Sequence, residues 1–261
     1  MIRDYLELDR MPHMWCKGCG NGIVLHTLLR AAEECGMNLD NTVFVSGIGC
    51  SSRLVGYTKF SSMHTAHGRA LPVATGIKMA RPDLNVVVIS GDGDATAIGG
   101  NHFIHSCRRN IDITLIIINN QIYGMTKGQF SPLTPENAYT KTTTYGNMDI
   151  PFDIPRIAIA SGASYVARAS VYHTELLRTC IINGCKNKGF SVIECYSMCP
   201  THFGRSNGSR DAVAMMEQMR DELVFSSSGI GADPAKIIGE LYHVPGREYT
   251  EKYQDIIRAA R

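Results

Sequence analysis

The run Asn85-Val86-Val87-Val88-Ile89-Ser90-Gly91-Asp92-Gly93-Asp94 reads as a buried strand ending in an acidic turn between glycines. After twenty-five residues beyond Gly93, a second apolar run (Asp112 to Ile118) enters Asn119-Asn120. Continuous apolar runs, as opposed to alternating ones, mark strands buried on both faces. Ala95 to Arg109 lies between them and reads as a helix. Outward from this pair, Thr42 to Ser46 reads as a strand running into Gly47-Ile48-Gly49-Cys50. Gly20 to Cys35 and Leu71 to Ala80 have helical spacing, stopped by Gly36 and by Arg81-Pro82. Thr126 to Pro155 lacks a period and reads as a functional loop region. A helix (Arg156–Ser161), a strand (Tyr165–Arg168), a helix (Tyr172–Lys186) and a strand (Phe190–Tyr196) follow, ending near Cys199.

Strands alternating with helices predict an α/β fold with a doubly wound, mostly parallel sheet over residues 1–205. Residues 206–261 read as a C-terminal extension of helical pieces (Asp211–Glu222, Ala235–Leu241, Tyr249–Ala260) that docks on the core or on a partner. The segments carrying Cys50, Asp92, Asn120 and Cys199 each follow a predicted strand. In a parallel sheet those strand ends share one edge, where open α/β sheets bind ligands.

Composition narrows the function. The 261 residues are 44% apolar, enough for a substantial core, and 26 Lys+Arg against 24 Asp+Glu leave a net charge of +2. No basic run interleaved with aromatics appears, so nucleic acid is not an expected partner. The N-terminal Met1-Ile2-Arg3-Asp4-Tyr5-Leu6-Glu7 is charged where an export signal is apolar. The longest apolar run falls far short of the ~20 residues that span a bilayer. The expectation is a soluble, cytoplasmic protein with no membrane partner.

A glycine turn after a strand commonly cradles phosphate on backbone N–H groups. Asp92 between two glycines would repel a phosphate directly. It makes sense with a hard cation between them, since Mg²⁺ takes oxygen ligands and bridges phosphates. Two other phosphate readings fail on detail. Gly91-x-Gly93-x-x-Thr96 lacks the third glycine of a dinucleotide fingerprint, and Gly184 to Gly189 is followed by Phe190 where a phosphate loop needs lysine.

Nine cysteines is a high and odd number. Without an export signal, thiolates for a metal or cluster are a better use than disulfides. Cys35, Cys107, Cys180, Cys185 and Cys195 read as packing residues. Cys16-x-x-Cys19 alone fits three chemistries. A thioredoxin-like dithiol would follow a strand, which Leu8 to Met14 is not. Structural zinc usually takes two close cysteine pairs, and Cys50 and Cys199 stand singly. A cluster on four thiolates from scattered loops remains alongside them. The helix start after Cys19 is expected to lower thiolate pKa. His102 and His105, at helical spacing, read as structural.

The Gly-Asp-Gly and asparagine frame resembles that of the thiamine-diphosphate enzymes. More specifically, Cys16-x-x-Cys19-Gly20, Gly47-Ile48-Gly49-Cys50-Ser51, His64-x-x-His67-Gly68-Arg69, Gly91-Asp92-Gly93-Asp94, Asn119-Asn120-x-x-Tyr123-Gly124-Met125-Thr126 and Cys199-Pro200-Thr201 occur in order. This series, over roughly residues 10 to 205, resembles the β subunits of 2-oxoacid:ferredoxin oxidoreductases.

The resemblance implies a thiamine-diphosphate-binding fold. It places Mg²⁺ on the Asp92 carboxylate, the Asn120 side chain and the Ile122 carbonyl, with Gly93 and Asp94 against the diphosphate. It puts a [4Fe-4S] cluster on Cys16, Cys19, Cys50 and Cys199. Ile48, Gly49, Cys50, Ser51, His67, Gly68, Arg69, Gly124 and Met125 would line the cofactor.

The implied reaction is oxidative decarboxylation of a 2-oxoacid. Electrons leave singly through the cluster to ferredoxin, and coenzyme A takes the acyl group. The glutamate that activates thiamine comes from the α subunit in this family, so the chain is expected to be inactive alone; further ferredoxin-like subunits are possible partners. Family members often have a small residue where this chain has Lys127. A lysine there would pair with the distal carboxylate of 2-oxoglutarate, making that the expected substrate ahead of pyruvate or a branched-chain or aryl 2-oxoacid. Two other readings are a non-redox thiamine decarboxylase or synthase with structural zinc, and a scaffold that merely carries the cluster.

Overall fold

The computed structural model describes residues 2–227 and 231–260. Its strands are β1 (Thr42–Ser46), β2 (Ser61–His64), β3 (Asn85–Gly91), β4 (Thr114–Asn119), β5 (Ile122–Tyr123), β6 (Gln129–Phe130), β7 (Tyr165–Ser170), β8 (Ser191–Tyr196), β9 (Val224–Phe225) and β10 (Ile237–His243). The α-helices are α1 (Asn21–Glu34), α2 (Ala70–Ala80), α3 (Gly100–Arg109), α4 (Ile154–Ala160), α5 (Thr174–Lys186), α6 (Ala212–Glu222) and α7 (Tyr249–Ala259). Eight strands among the described residues form one sheet in the order β2-β1-β3-β4-β8-β7-β10-β9. From β2 to β7 all neighbours pair in parallel.

Successive side chains of a strand point to opposite faces. The two cores divide accordingly. Val87, Ile89, Ile116, Ile118 and Ile193 pack with Val24 and Leu28 of α1 and Leu177 and Ile181 of α5. Val86, Val88, Leu115, Ile117 and Val192 pack on the other face with Leu71 of α2, Phe103 of α3 and Ile154 of α4. This is the doubly wound arrangement that the apolar runs predict.

The chain leaves the adjacent strands β1 and β3 in opposite directions. After β1 it turns into a 3₁₀ segment, Ser51–Tyr57, whose Leu54 and Val55 join the α1/α5 face. After β3 it passes into α3 on the opposite face. Such a switch point opens a crevice at the carboxyl ends of the strands.

The C-terminal region departs from expectation at one element. The segment Ala235–Leu241, read as helical, is mostly strand: β10 pairs antiparallel with β7, and β9 pairs with β10 in parallel. The open edge of β7 supplies hydrogen-bond partners that no helix there could use. Gly239 makes the pairing possible. Its φ of +125° is one that side chains rarely adopt, and a Cβ would lie 2.6 Å from Ser226 Oγ. A register shift follows between Glu240 and Tyr242.

Candidate active site: two cavities with a common wall

The first cavity, about 90 Å³, opens at the switch point. The loop after β1 contributes Ile48, Gly49, Cys50 and Ser51, and the end of β3 contributes Asp92, Gly93 and Asp94. Asn120 and Ile122 come from the segment after β4, followed by Tyr123, Gly124 and Met125; His67 closes one side. Neither Arg69 nor Lys127 is in the lining. Arg69 instead donates from Nη1 to the carbonyls of Gly68 and Ile98, each at 3.3 Å. Gly68 lies one layer behind, in contact with Asp94.

Asp94 serves as an internal hub. Its carboxylate accepts from Ser90 Oγ (2.5 Å), from the backbone N–H of Gly68 (2.8 Å) and Ile48 (3.2 Å), and pairs with His67 Nδ1 (2.5 Å). It therefore binds the loop after β1, the turn at residues 67–68 and the end of β3 into one unit. Gly47 allows this: a Cβ there would lie 2.1 Å from Asp94 Oδ2. With Nδ1 engaged, His67 leaves Nε2 as the ring nitrogen available to a ligand.

Asp92 differs. Its carboxylate is buried and accepts from Ser131 Oγ at 2.5 Å. Burial pushes its pKa up to about 7, with its hydrogen bonds from Ser131 and Gly93 opposing the rise. A buried carboxylate beside an asparagine amide and a peptide carbonyl is an oxygen donor set suited to a hard cation, which would supply the missing positive charge. Tyr123 covers this corner, its hydroxyl donating to the Gly93 carbonyl at 3.0 Å. Burial and the nearby Asp92 and Asp94 raise its pKa to about 12, so it stays a neutral donor.

The second cavity, about 160 Å³, holds the predicted thiols. Cys16, Cys19, Cys50 and Cys199 all line it, with Trp15 and Pro200. Cys50, Asn120, Gly124 and Met125 line both cavities and form their common wall. A Cβ on Gly124 would lie 3.4 Å from Cys50 Sγ and 3.7 Å from Cys199 Sγ. Trp15 Nε1 donates to the Cys50 carbonyl at 2.8 Å, tying the Cys16–Cys19 loop to the loop after β1. Among the described residues, no three His, Cys, Asp or Glu side chains are gathered tightly enough to hold a single metal ion.

The expected lowering of thiolate pKa is not what the structure produces. Cys19 does accept from the Asn21 N–H, which lowers its pKa, but burial wins and drives it up to about 12. Cys50 rises to about 11, and Cys199 also rises, again chiefly from burial. Proximity of the other thiols adds to each rise. Without a bound cation these are neutral thiols; ligation would deprotonate them.

Comparison with known proteins places this geometry. The family described as thiamine pyrophosphate enzyme, C-terminal TPP-binding domain, matches residues 47–195. The 2-oxoglutarate synthase subunit KorB of Methanothermobacter marburgensis is 50% identical over 258 residues, covering 97% of this chain and 90% of that protein. The 2-oxoacid:ferredoxin oxidoreductase 2 subunit beta of Aeropyrum pernix is 42% identical over 203 residues, 77% of this chain and 66% of that one. The chain belongs to the β subunits of the 2-oxoacid:ferredoxin oxidoreductases. A solved 2-oxoglutarate:ferredoxin oxidoreductase from Magnetococcus marinus, with 2-oxoglutarate, coenzyme A and succinyl-CoA bound, superimposes with a TM-score of 0.89 at 33% identity, covering 99% of this chain and 90% of that one.

As a β subunit of this family the chain carries a thiamine-diphosphate-binding fold and works within a multi-subunit oxidoreductase. Sequence reading gave no role to several residues that shape its site, although Gly47 and Tyr123 fall inside its motifs. Ser90 acts through Asp94 four residues on, whereas Gly47, Tyr123, Ser131 and Trp15 act through contacts distant in sequence. So does a buried cluster behind the asparagines: Arg168 Nε donates to Glu194 Oε2 (2.7 Å), and Glu194 Oε1 accepts from Asn119 Nδ2 (2.8 Å). That bond holds Asn119 away from the cavity while Asn120 lines it. His102 and His105, on α3, line neither cavity. Lys127 stands exposed in a left-handed turn (φ +79°), next to the cavity-lining Met125 and Thr126.

Proposed function

We propose that the chain is the β subunit of an enzyme that converts 2-oxoglutarate, coenzyme A and oxidised ferredoxin to succinyl-CoA, CO₂ and reduced ferredoxin. The carrying observation is the common wall: Cys50, Asn120, Gly124 and Met125 border both the diphosphate cavity and the thiol cavity. In this reading thiamine diphosphate would supply the nucleophilic carbon and the sink for the electron pair left behind when CO₂ departs. The relatives' substrate supports 2-oxoglutarate.

The chain's own residues divide the remaining work. Asp92, Asn120 and the Ile122 carbonyl hold Mg²⁺, and the backbone at Gly93 and Asp94 receives the diphosphate. Asp94 braces the walls and fixes the His67 ring. Cys16, Cys19, Cys50 and Cys199 hold a [4Fe-4S] cluster one wall away. Four thiols spread around a cavity suit a polynuclear cluster better than zinc, whose four sulfur ligands must crowd within ~2.3 Å of one centre. Lys127, exposed one residue beyond the cavity-lining Thr126, pairs with the distal carboxylate of the substrate.

The α partner completes the site. No glutamate lines the cavity among the described residues, so the activating carboxylate comes from outside the chain. Ile48 (45% exposed) and Met125 (38%) border the opening, and Ile98 (50%) lies near the adjoining Gly68 turn. Large apolar residues clustered at a cavity mouth mark a surface that another protein covers.

The test is anaerobic co-purification with the α subunit, followed by iron, sulfide and zinc analysis and dye reduction with a panel of 2-oxoacids. About four irons and four sulfides per chain, with 2-oxoglutarate the preferred substrate, are expected. Zinc without sulfide would overturn the redox half. Preference for pyruvate would overturn the substrate. Substrate-dependent dye reduction by the isolated chain would overturn the need for a partner.

A further inference from the structure

The loop after β6 reaches back to both halves of the metal site. Ser131 Oγ donates to Asp92 Oδ2 at 2.5 Å. Three residues on, Thr134 Oγ1 donates to the Gln121 carbonyl at 2.7 Å. Gln121 sits between Asn120 and Ile122, which supply the other oxygen ligands. The loop residues are also tied to each other. Thr134 Oγ1 accepts from the Ser131 N–H at 2.8 Å, and Ser131 Oγ accepts from the Leu133 N–H at 3.2 Å. Ser131 is 1% exposed and Thr134 is fully buried.

Gln121 also adopts a φ of +62°, which a residue with a side chain holds only where its surroundings impose it. Thr134 on its carbonyl and Asn119 Oδ1, accepting from its N–H at 3.2 Å, provide that restraint. One short turn thus grips the carboxylate arm with one hydroxyl and the carbonyl arm with the other. Those arms follow the neighbouring parallel strands β3 and β4, whose pairing ends at Gly91 opposite Ile118, so beyond the ladder the loop's two hydroxyls are what hold them.

We propose that Ser131 and Thr134 are positioning residues for the divalent cation. Ser131 holds the Asp92 carboxylate in one orientation, and Thr134 holds the Asn120–Ile122 turn at the matching distance. This rests on the reading of the cavity as a Mg²⁺–thiamine diphosphate site.

The test uses the assembled α/β complex carrying Ser131→Ala, Ser131→Thr, Thr134→Val or Thr134→Ser. The readout is the Mg²⁺ concentration for half-maximal thiamine diphosphate binding, by calorimetry, with the melting temperature measured separately without Mg²⁺. Ser131→Ala and Thr134→Val should each raise that concentration by about 10- to 100-fold, the usual penalty for removing an outer-shell partner of a ligand. Ser131→Thr and Thr134→Ser, which keep the hydroxyl, should stay within about threefold of wild type. Unchanged Mg²⁺ titrations in the Ala and Val variants, with or without a fall in melting temperature, would refute the positioning role alone. Wild-type complex that binds thiamine diphosphate with no Mg²⁺ dependence would refute the reading of the cavity and this role with it. Where Ser131→Ala does not assemble, Ser131→Cys, a weaker donor, should give a smaller rise in the same direction; wild-type Mg²⁺ dependence in that variant would again refute the role.

Discussion

The cavity at the switch point is built chiefly around strand ends, and the thiol cavity beside it around loops. The difference shows in how each holds its polar groups. Asp92 and Asn120 immediately follow the parallel strands β3 and β4, and Asp94 and Ser131 add hydrogen bonds that brace the surroundings. The thiols come from the Cys16–Cys19 turn, the loop after β1 and the segment after β8, where burial raises the pKa of Cys19, Cys50 and Cys199. One site is organised before its ligand arrives. The other carries neutral thiols whose best arrangement depends on what they bind. Binding there is coupled to deprotonation, so its free energy contributes to ordering the loops.

If the two cavities are separate in this sense, they should fail separately. Cys199→Ser should empty the thiol cavity, dropping iron from about four per chain toward zero and ending electron transfer. Thiamine diphosphate affinity should stay within about threefold, because Cys199 lines the thiol cavity and not the other. Asp92→Asn should do the reverse, weakening Mg²⁺-dependent cofactor binding by about 100-fold while iron and sulfide stay unchanged. Calorimetry and metal analysis on the same preparations check both. Joint loss in either variant would show that the common wall makes one unit of the two cavities.

A smaller effect concerns substrate choice. Lys127→Ala should lower kcat/KM for 2-oxoglutarate relative to pyruvate by roughly 10- to 100-fold, matching a charge-assisted contact of ~1.5–3 kcal/mol. Equal losses on both substrates in steady-state assays would assign Lys127 to the surface instead. Smallest of all are the glycine effects on stability. Gly47→Ala should cost about 1–3 kcal/mol in denaturant unfolding, because its Cβ would meet the Asp94 carboxylate in a packed site. Gly36→Ala, at φ +69° but with open space around it, should cost only about 1 kcal/mol.

Much of this site was legible in the chain. The order of the central strands and helices up to residue 205 follows from apolar period and from stops at Gly36 and Pro82; the edge strand β2, all four of whose residues are exposed, leaves no apolar run to read. Asp92, Asn120 and the Cys16-x-x-Cys19 pair stand out because glycine turns and thiol spacing are local patterns, whereas Cys50 and Cys199 stand singly and are joined to them by the family resemblance. A parallel sheet then brings them to one edge. Ala235–Leu241 shows the limit. Its residues suit a helix taken alone, and only the exposed edge of β7 makes it mostly a strand.

What the sequence determined, then, is which residues stand at the strand ends and what chemistry they offer. Tertiary structure alone decided which of them are braced and by what. Ser131 reaches Asp92 across 39 residues, His67 reaches Asp94 across 27 and Asn119 reaches Glu194 across 75. A serine, a histidine or a glutamate leaves no periodic mark that names a distant partner. Burial of a polar group makes finding that partner a condition of folding, and only the packed chain shows which one it found.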